Sequence, residues 1–429
     1  MQPARSAYVH VTPDTHRGKT KKTVQMDGLF LPWIFYVHRA RISHMKKYDV
    51  MIIGAGASGM TAAHAALARG RSVAVIDMGD VPLRKVAASG GGRCNFTNAA
   101  ATRNRYFGSN PDFVRGPLAR VTCGDVLDWA TRAGIRWTEK SAGQYFCADG
   151  AGAIIDALMA DARGAKIIQN DAVESVDFTG DQFIIHAASG EYGATSVIVA
   201  TGGTSFPTLG TSDIGYKIAK HFGHKIVPVR PALCAIATSA FSDTLAGISL
   251  PVEITIGRDV ITDNMLFTHV GIGGPAVYRA TVRNSDTDWI INLMPAVNTF
   301  EILSRAKHTD GRKNIATILG QHMPARVAQW IARGDVRNIA DIRDTDLRQI
   351  AERTQHIVIA RDAYKYHGLR SAEVVRGGIA TDQISSRTME SKLRSGLFFA
   401  GEVIDIAGDL GGFNLHWAWA SGTIAGENA

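Results

Sequence analysis

The sequence predicts an α/β fold: a largely parallel sheet built on a βαβ unit, interrupted by a barrel- or sandwich-like β insertion and a small helical one. Three observations predict it. Residues 48–77 read as strand, glycine turn, helix, strand and acid. Two more apolar runs, 196–203 and 396–402, end in glycine as buried parallel strands do. From about residue 229 the character changes to short β-type runs, and then to a stretch rich in helix formers.

The βαβ unit carries a dinucleotide signature. Its first apolar run, 50–53, ends in Gly54-Ala55-Gly56-Ala57-Ser58-Gly59. Gly54 lets the chain turn off the strand, and Gly56 lets a pyrophosphate approach the backbone. Gly59 lets the helix lie close on the sheet. The helix start then presents free N–H groups and a positive dipole end to phosphate. Asp77 ends the second strand, 23 residues after Gly54, where a carboxylate can accept from ribose hydroxyls. The motif by itself does not choose between NAD and FAD.

Composition narrows the class. The chain has 429 residues, room for two or three domains, with 45% hydrophobic and 20% charged residues. No apolar run is long enough to span a bilayer. Cys94, Cys123, Cys147 and Cys234 form no CxxC pair, so no zinc ribbon or vicinal dithiol is encoded, and no metal is expected. Sparse, scattered cysteine fits a reducing cytoplasm. The net charge of +8 is concentrated at the start: residues 1–47 hold nine Lys/Arg and two acids, the remainder 38 and 37. No nucleic-acid partner and no membrane are expected on that balance; a small-molecule substrate is. Nothing in the sequence sets the oligomeric state.

Residues 1–45 show no sustained period and read as a disordered or mis-started extension, with Met45-Lys46-Lys47 as a natural beginning. A dinucleotide-binding domain is expected over 46–228 and 372–429. A β-barrel or sandwich is expected over 229–298 and 356–371, and a small helical domain over 299–355. After Asp77, Gly90-Gly91-Gly92 forces a shaped loop, and Arg84, Lys85 and Arg93 bring cations toward the pyrophosphate end.

The separated segments also resemble one family. SGGGRCNFTN (89–98), LFTHVGIGGPAV (266–277), MESK (389–392) and GLFFAGEVIDIAGDLGGFNLHWAWASGTIAG (396–426) look like the BaiN-like bacterial flavoproteins, labelled NAD(P)/FAD-dependent or aminoacetone oxidase-like oxidoreductases. The resemblance runs from about residue 46 to the end. It implies a two-dinucleotide-fold FAD domain interrupted by a barrel, itself interrupted by helices. It implies that Gly54, Gly56, Ala57, Ser58 and Gly59 meet the FAD pyrophosphate and that Asp77 meets the ribose. Arg93, Cys94 and Asn95 would lie toward the flavin, and Val173 against adenine. Thr201 and Gly202 would line the cofactor, with Gly401 and Glu402 by the ribityl chain. Gly412, Phe413, Asn414 and Leu415 would offer backbone N–H groups to the flavin pyrimidine edge, where reduced flavin carries negative charge. Asp77 stands where glutamate is commoner, and Phe413 and His416 where Tyr and Gln are.

The flavin would carry the chemistry, accepting or giving hydride at N5, so no protein nucleophile is required. His269 and His416 are the candidates for a catalytic or substrate-contacting side chain. Cys94 sits where disulfide reductases begin a redox motif, but no second cysteine follows; a packed thiol is the expectation. NAD(P)H is a candidate transient donor, although a second nucleotide βαβ unit is absent. The expected activity is an FAD-dependent oxidoreductase acting on a small organic substrate. An oxygen-using amine oxidase, or an FAD protein acting on RNA, are the alternatives.

Overall fold

The computed structural model describes residues 45–283 and 287–429; the extension expected over the first 44 residues lies outside them. Lys46–Ala429 forms one compact unit. β1 (Lys46–Ile53), α1 (Ala57–Ala68) and β2 (Val73–Ile76) make the expected βαβ unit. Both strands are buried along their apolar runs, since neighbours cover both sheet faces. A small side sheet follows: β3 (Asn95–Asn98), then helix α2 (Cys123–Arg132), β4 (Trp137–Lys140) and β5 (Gln144–Cys147), ordered β3-β5-β4. Sequence periodicity does not reveal these three four-residue strands, because none is long enough to show an alternation.

Next come α3 (Ala151–Asp161), β6 (Lys166–Ile168), β7 (Val173–Thr179), β8 (Gln182–Ala187) and β9 (Gly190–Val199). The main sheet runs β6-β2-β1-β9-β8-β7. β9 does two jobs. Its first half pairs antiparallel with β8, and its last three residues pair parallel with a strand from the far end of the chain. That is why a run of ten residues is needed there.

α4 (Ile214–His221) leads to β10 (Ile226–Ala232), and then the chain leaves the first sheet. The second sheet is built from β11 (Ile236–Thr238), β12 (Ser249–Ile256), β13 (Asp259–Thr268) and β14 (Gly271–Gly273). Helix α5 (Gly274–Val282) follows, then β15 (Trp289–Asn292). Helices α6 (Thr299–Thr309), α7 (Ile315–Leu319), α8 (Ala325–Ala332) and α9 (Asp344–Gln355) come before β16 (Ile357–Ile359) and β17 (Tyr364–Tyr366). The order β16-β15-β12-β13-β14-β11-β17 is antiparallel throughout. Its two edge strands, β16 and β17, are joined by the short segment 360–363, so the sheet must curl until its edges nearly meet.

The helices α6–α9 share one apolar core with this sheet, in which Leu303, Ile318, Val327 and Ile350 pack with Ile254, Ile291 and Trp289. Barrel and helices are therefore one body with a common interior. β18 (Val374–Ile379) returns beside β10 as a two-stranded ribbon, and β19 (Leu397–Phe399) completes the first sheet. The terminal helix α10 (Phe413–Asn428) lies along α1. Glycines make that contact possible. A Cβ on Gly422 would stand 2.4 Å from the Ser58 carbonyl oxygen, and one on Gly426 2.2 Å from that of Ala62. Backbone thus touches backbone, and the C-terminal helix is held against the helix that follows the glycine turn.

Candidate functional site

The turn after β1 is built as its residues demand. Gly54 has φ +109°, and a Cβ there would stand 2.4 Å from the Ala200 carbonyl oxygen. A Cβ on Gly59 would stand 1.9 Å from the Gly54 carbonyl oxygen, so glycine alone lets α1 meet the sheet. Gly56 is different. A Cβ there would meet nothing within 4 Å, so it faces open space. No side chain caps α1, leaving the first-turn N–H groups of Ala57 and Ser58 available to an anion.

Asp77 does not wait idle for a ribose. Its Oδ2 accepts from Ala55 N–H at 2.7 Å and its Oδ1 from Gly79 N–H at 2.7 Å. The carboxylate thereby ties the glycine turn to the end of β2, with a lone-pair direction left on each oxygen. Arg84 lies 3.7 Å away. Val173 begins β7 close by, because Asp77 N–H donates to Ile168 and Asp171 N–H to Asp77. The two residues expected at the adenosine end, Asp77 and Val173, are therefore brought together.

The opposite end of the cradle comes from both chain termini. Gly91, Gly92 and Gly202 have φ between 65° and 82°, and each faces open space. Thr201 packs against Gly215, while Gly401, at φ +78°, closes on the Ser58 hydroxyl. Gly412, at φ +95°, starts α10, which like α1 has no side-chain cap. Asn414 braces this start: Gly408 N–H donates to its Oδ1 at 2.8 Å, and its Nδ2 donates back to the Gly408 carbonyl at 3.0 Å. Asn98, fully buried, donates to the Gly411 carbonyl at 2.8 Å. Asn95 contacts Gln144, whose side chain also lies against Gly411. Phe413 is buried edge-on to Tyr106, and Leu415 packs partly buried behind it.

Two uncapped helix N-termini thus open onto one line of glycines. The arrangement fits an extended dinucleotide with anionic charge at two places: a pyrophosphate near α1, and the N1–O2 side of a reduced flavin near α10. These residues fit FAD, which Gly56–Ser58, Asp77, the 90–92 loop and Gly412–Leu415 would hold. When bound, FAD supplies hydride transfer through its N5 atom.

Several expected residues take other roles. Glu402, expected at the ribityl chain, is engaged by protein: Lys85 donates to it at 2.7 Å, Val375 N–H at 2.9 Å and Ser205 at 3.4 Å. It locks the 84–88 helical turn to β18. Cys94 is fully buried at φ +46°, and burial pushes its thiol up to about 12. Cys147 is also buried, and its N–H donates to the Arg93 and Cys94 carbonyls. Arg93 is exposed, 5.8 Å above the Phe146 ring.

Neither histidine reaches the cradle with a free nitrogen. His416 is fully buried; its Nδ1 is 2.8 Å from the Thr97 hydroxyl and its Nε2 3.0 Å from the Val121 carbonyl. Burial lowers its pKa to about 4, so the neutral ring donates to Val121 and accepts from Thr97. It is a structural pin between β3, α2 and α10, in place of the expected substrate contact. His269 sits in the exposed turn between β13 and β14. It lines a cavity of about 770 Å³ with Thr238, Ser242 and Lys365, which no cradle residue borders. Among the described residues, no group of three His, Cys, Asp or Glu could hold a metal ion, and no helix is long and apolar enough to cross a membrane.

Sequence reading missed Gln144, Asn98 and Ser205. Each acts through a partner far along the chain, and no local pattern marks it. Asp409, in the loop before α10, is another. Fully buried, it meets Arg283 at 3.0 Å, Arg105 at 3.2 Å and Arg279 at 3.3 Å. That cluster joins barrel helix α5 to the loop just before Gly411.

Fold and cradle together define an FAD-dependent oxidoreductase. The chain belongs to the HI0933-like protein Rossmann domain family, whose model matches residues 48–428. It is 36% identical to the ribosomal RNA dihydrouridine synthase of Escherichia coli (strain K12), over 88% of this chain and 96% of that protein. Identity to the Haemophilus influenzae protein of the same name is 39%, over 88% and 97%. A 3-dehydro-bile acid delta(4,6)-reductase of Clostridium scindens is 26% identical over 88% of this chain and 98% of that protein. The BaiN-like resemblance therefore holds at family level, and the aminoacetone oxidase label has no counterpart among these three.

Proposed function

We propose that this protein is an FAD-dependent reductase of a carbon–carbon double bond conjugated to a carbonyl, with uracil in ribosomal RNA as its substrate. The observation that carries the reading is the end-to-end similarity, at 36% and 39% identity, to two proteins named for making dihydrouridine in ribosomal RNA. The bile-acid relative supports the same chemistry on a different molecule. A 4,6-dienone and the C5=C6 bond of uracil are both polarised by a conjugated carbonyl, so hydride adds to one carbon and a proton to its neighbour.

The chain's own residues suit that role. The uncapped N-terminus of α10 would offer N–H groups to the flavin edge that gains negative charge on reduction, favouring a hydride-donating flavin. Cys94 is held as a neutral thiol, so no dithiol relay is invoked. NAD(P)H is proposed as the transient donor that reduces the flavin, and the reaction is placed in the cytoplasm.

The test has two anaerobic steps. FAD-loaded protein is mixed with NADH or NADPH, and loss of the oxidised-flavin absorbance reports reduction. Ribosomal RNA lacking the modification, or a steroid 4,6-dien-3-one, is then added. Return of the flavin band with RNA, and dihydrouridine in its nucleoside digest, is the expected result. Reoxidation by the dienone alone would move the assignment to a small-molecule reductase. Reoxidation by neither would overturn the reductase reading.

A further inference from the structure

We infer that the β4–β5 hairpin, with Arg93 beside it, is the surface that grips single-stranded RNA next to the flavin cradle. The inference rests on the RNA reading above and gives it a location.

Charge is the first observation. Residues 48–429 are nearly balanced, but the balance hides a separation. Residues 81–140 alone hold ten Lys/Arg against four Asp/Glu, so the rest of the body is net acidic. Several of those cations are spoken for: Lys85 by Glu402, Arg105 by Asp409, Arg120 by Glu427 and Arg136 by Asp149. Arg93, Arg132 and Lys140 are exposed and, among the described residues, enter no salt bridge. Unpaired cations on one edge are what a phosphate chain requires.

The second observation is aromatic. All four residues of β4, from Trp137 to Lys140, are exposed, which leaves the strand an uncovered edge of its sheet. Trp137 keeps 37% of its surface in water and meets Tyr145 edge-on at 5.3 Å. On the other face Phe146 carries Lys140 4.2 Å from its ring centre and Arg93 at 5.8 Å. Trp137 is exposed and Tyr145 and Phe146 are half-buried, so the ribbon offers aromatic surface on both faces and cations on one; aromatic surface beside cations suits single-strand binding, where bases stack and phosphates pair.

The third observation is continuity. Lys140 pairs with Gln144 and Thr138 with Phe146 across the hairpin, placing these side chains on one face. That face runs directly into the cradle. Gln144 lies against Gly411 and Asn95, and the Phe146 ring edge lies 3.1 Å from where a Gly90 Cβ would stand. A strand held on the hairpin can therefore present a nucleotide to the flavin edge without leaving the sheet.

The experiment uses the FAD-loaded full chain and a short, fluorescein-labelled, uridine-rich single-stranded RNA, read by anisotropy across a salt series. Lys140→Glu and Trp137→Ala lie outside the cofactor residues, so their flavin spectrum and photoreduction serve as the folding control. Arg258→Glu, an exposed change on the barrel hairpin, controls for bulk charge. The expected result is binding weakened about tenfold or more by each hairpin variant. Lys140→Glu should also lower the slope of log affinity against log salt by about 1. Arg258→Glu should match wild type. If wild type reduces ribosomal RNA while the hairpin variants bind as wild type, the RNA reading stands and this surface is the wrong one. Equal loss in Arg258→Glu also sinks it. No RNA binding by wild type under any salt overturns both.

Discussion

Asp409 accepts a hydrogen bond from Arg283 at 3.0 Å, with no solvent exposure on the carboxylate and 12% on the guanidinium. Arg105 and Arg279 close on the same carboxylate, so one buried negative charge holds three cations from two parts of the fold. Removing one partner of such a cluster costs far more than the cluster gains, because the remaining charges stay desolvated. Asp409→Asn keeps the shape and removes the charge. It is expected to destabilise the protein by about 3 kcal/mol, discounted from the upper range because Arg105 is partly exposed. Thermal unfolding, with FAD retention on dialysis as a second readout, checks it.

The contact between α1 and α10 depends on absent side chains. Gly426→Ala places a methyl group 2.2 Å from the Ala62 carbonyl oxygen, inside contact distance with backbone that cannot step aside. A loss of about 1–3 kcal/mol is expected, despite the better helix propensity of alanine. An unchanged or raised melting temperature would show that the helices are free to separate.

His416 makes stability depend on pH with a definite sign. Its folded pKa is lowered to about 4, whereas the unfolded group titrates near 6.5. Between those values the unfolded chain binds the extra proton, so stability falls as pH drops, by up to about 1.4 kcal/mol per pH unit. Buried His224 contributes in the same direction. His416→Gln is expected to flatten the denaturation midpoint between pH 6.5 and 4 relative to wild type. An unaltered pH profile would mean that the ring is hydrated.

The cysteines give a chemical readout. Burial raises the thiols of Cys94 and Cys234 to about 12, while Cys123 is only half-buried. At pH 8, iodoacetamide is expected to label Cys123 first and Cys94 only on unfolding, as mass spectrometry of the peptides would show. Cys94→Ala should leave flavin reduction intact; its loss would revive a redox role for that thiol.

Much of the architecture was legible in the chain. Continuous apolar runs, together with glycines that only a tight turn or a close approach requires, mark β1, α1, β2, β9 and the terminal helix. The resemblance added the order of the inserts. The side sheet escaped, because four-residue strands carry no period. The cation-rich edge escaped for another reason: summing charge over the whole body cancelled the basic segment 81–140 against the acidic remainder.

The histidines draw the line between the two kinds of information. The sequence by itself determined a dinucleotide cradle, its glycines and its acid, because those follow from local geometry that neighbours in the chain impose. It placed His269 and His416 beside motif residues and could go no further. Only the tertiary structure decided that His416 is pinned between Thr97 and Val121, that Glu402 faces Lys85, and that Asp409 gathers three arginines. Each of these partners lies more than a hundred residues away, and a buried polar group takes its role from whatever the fold brings within 3 Å of it.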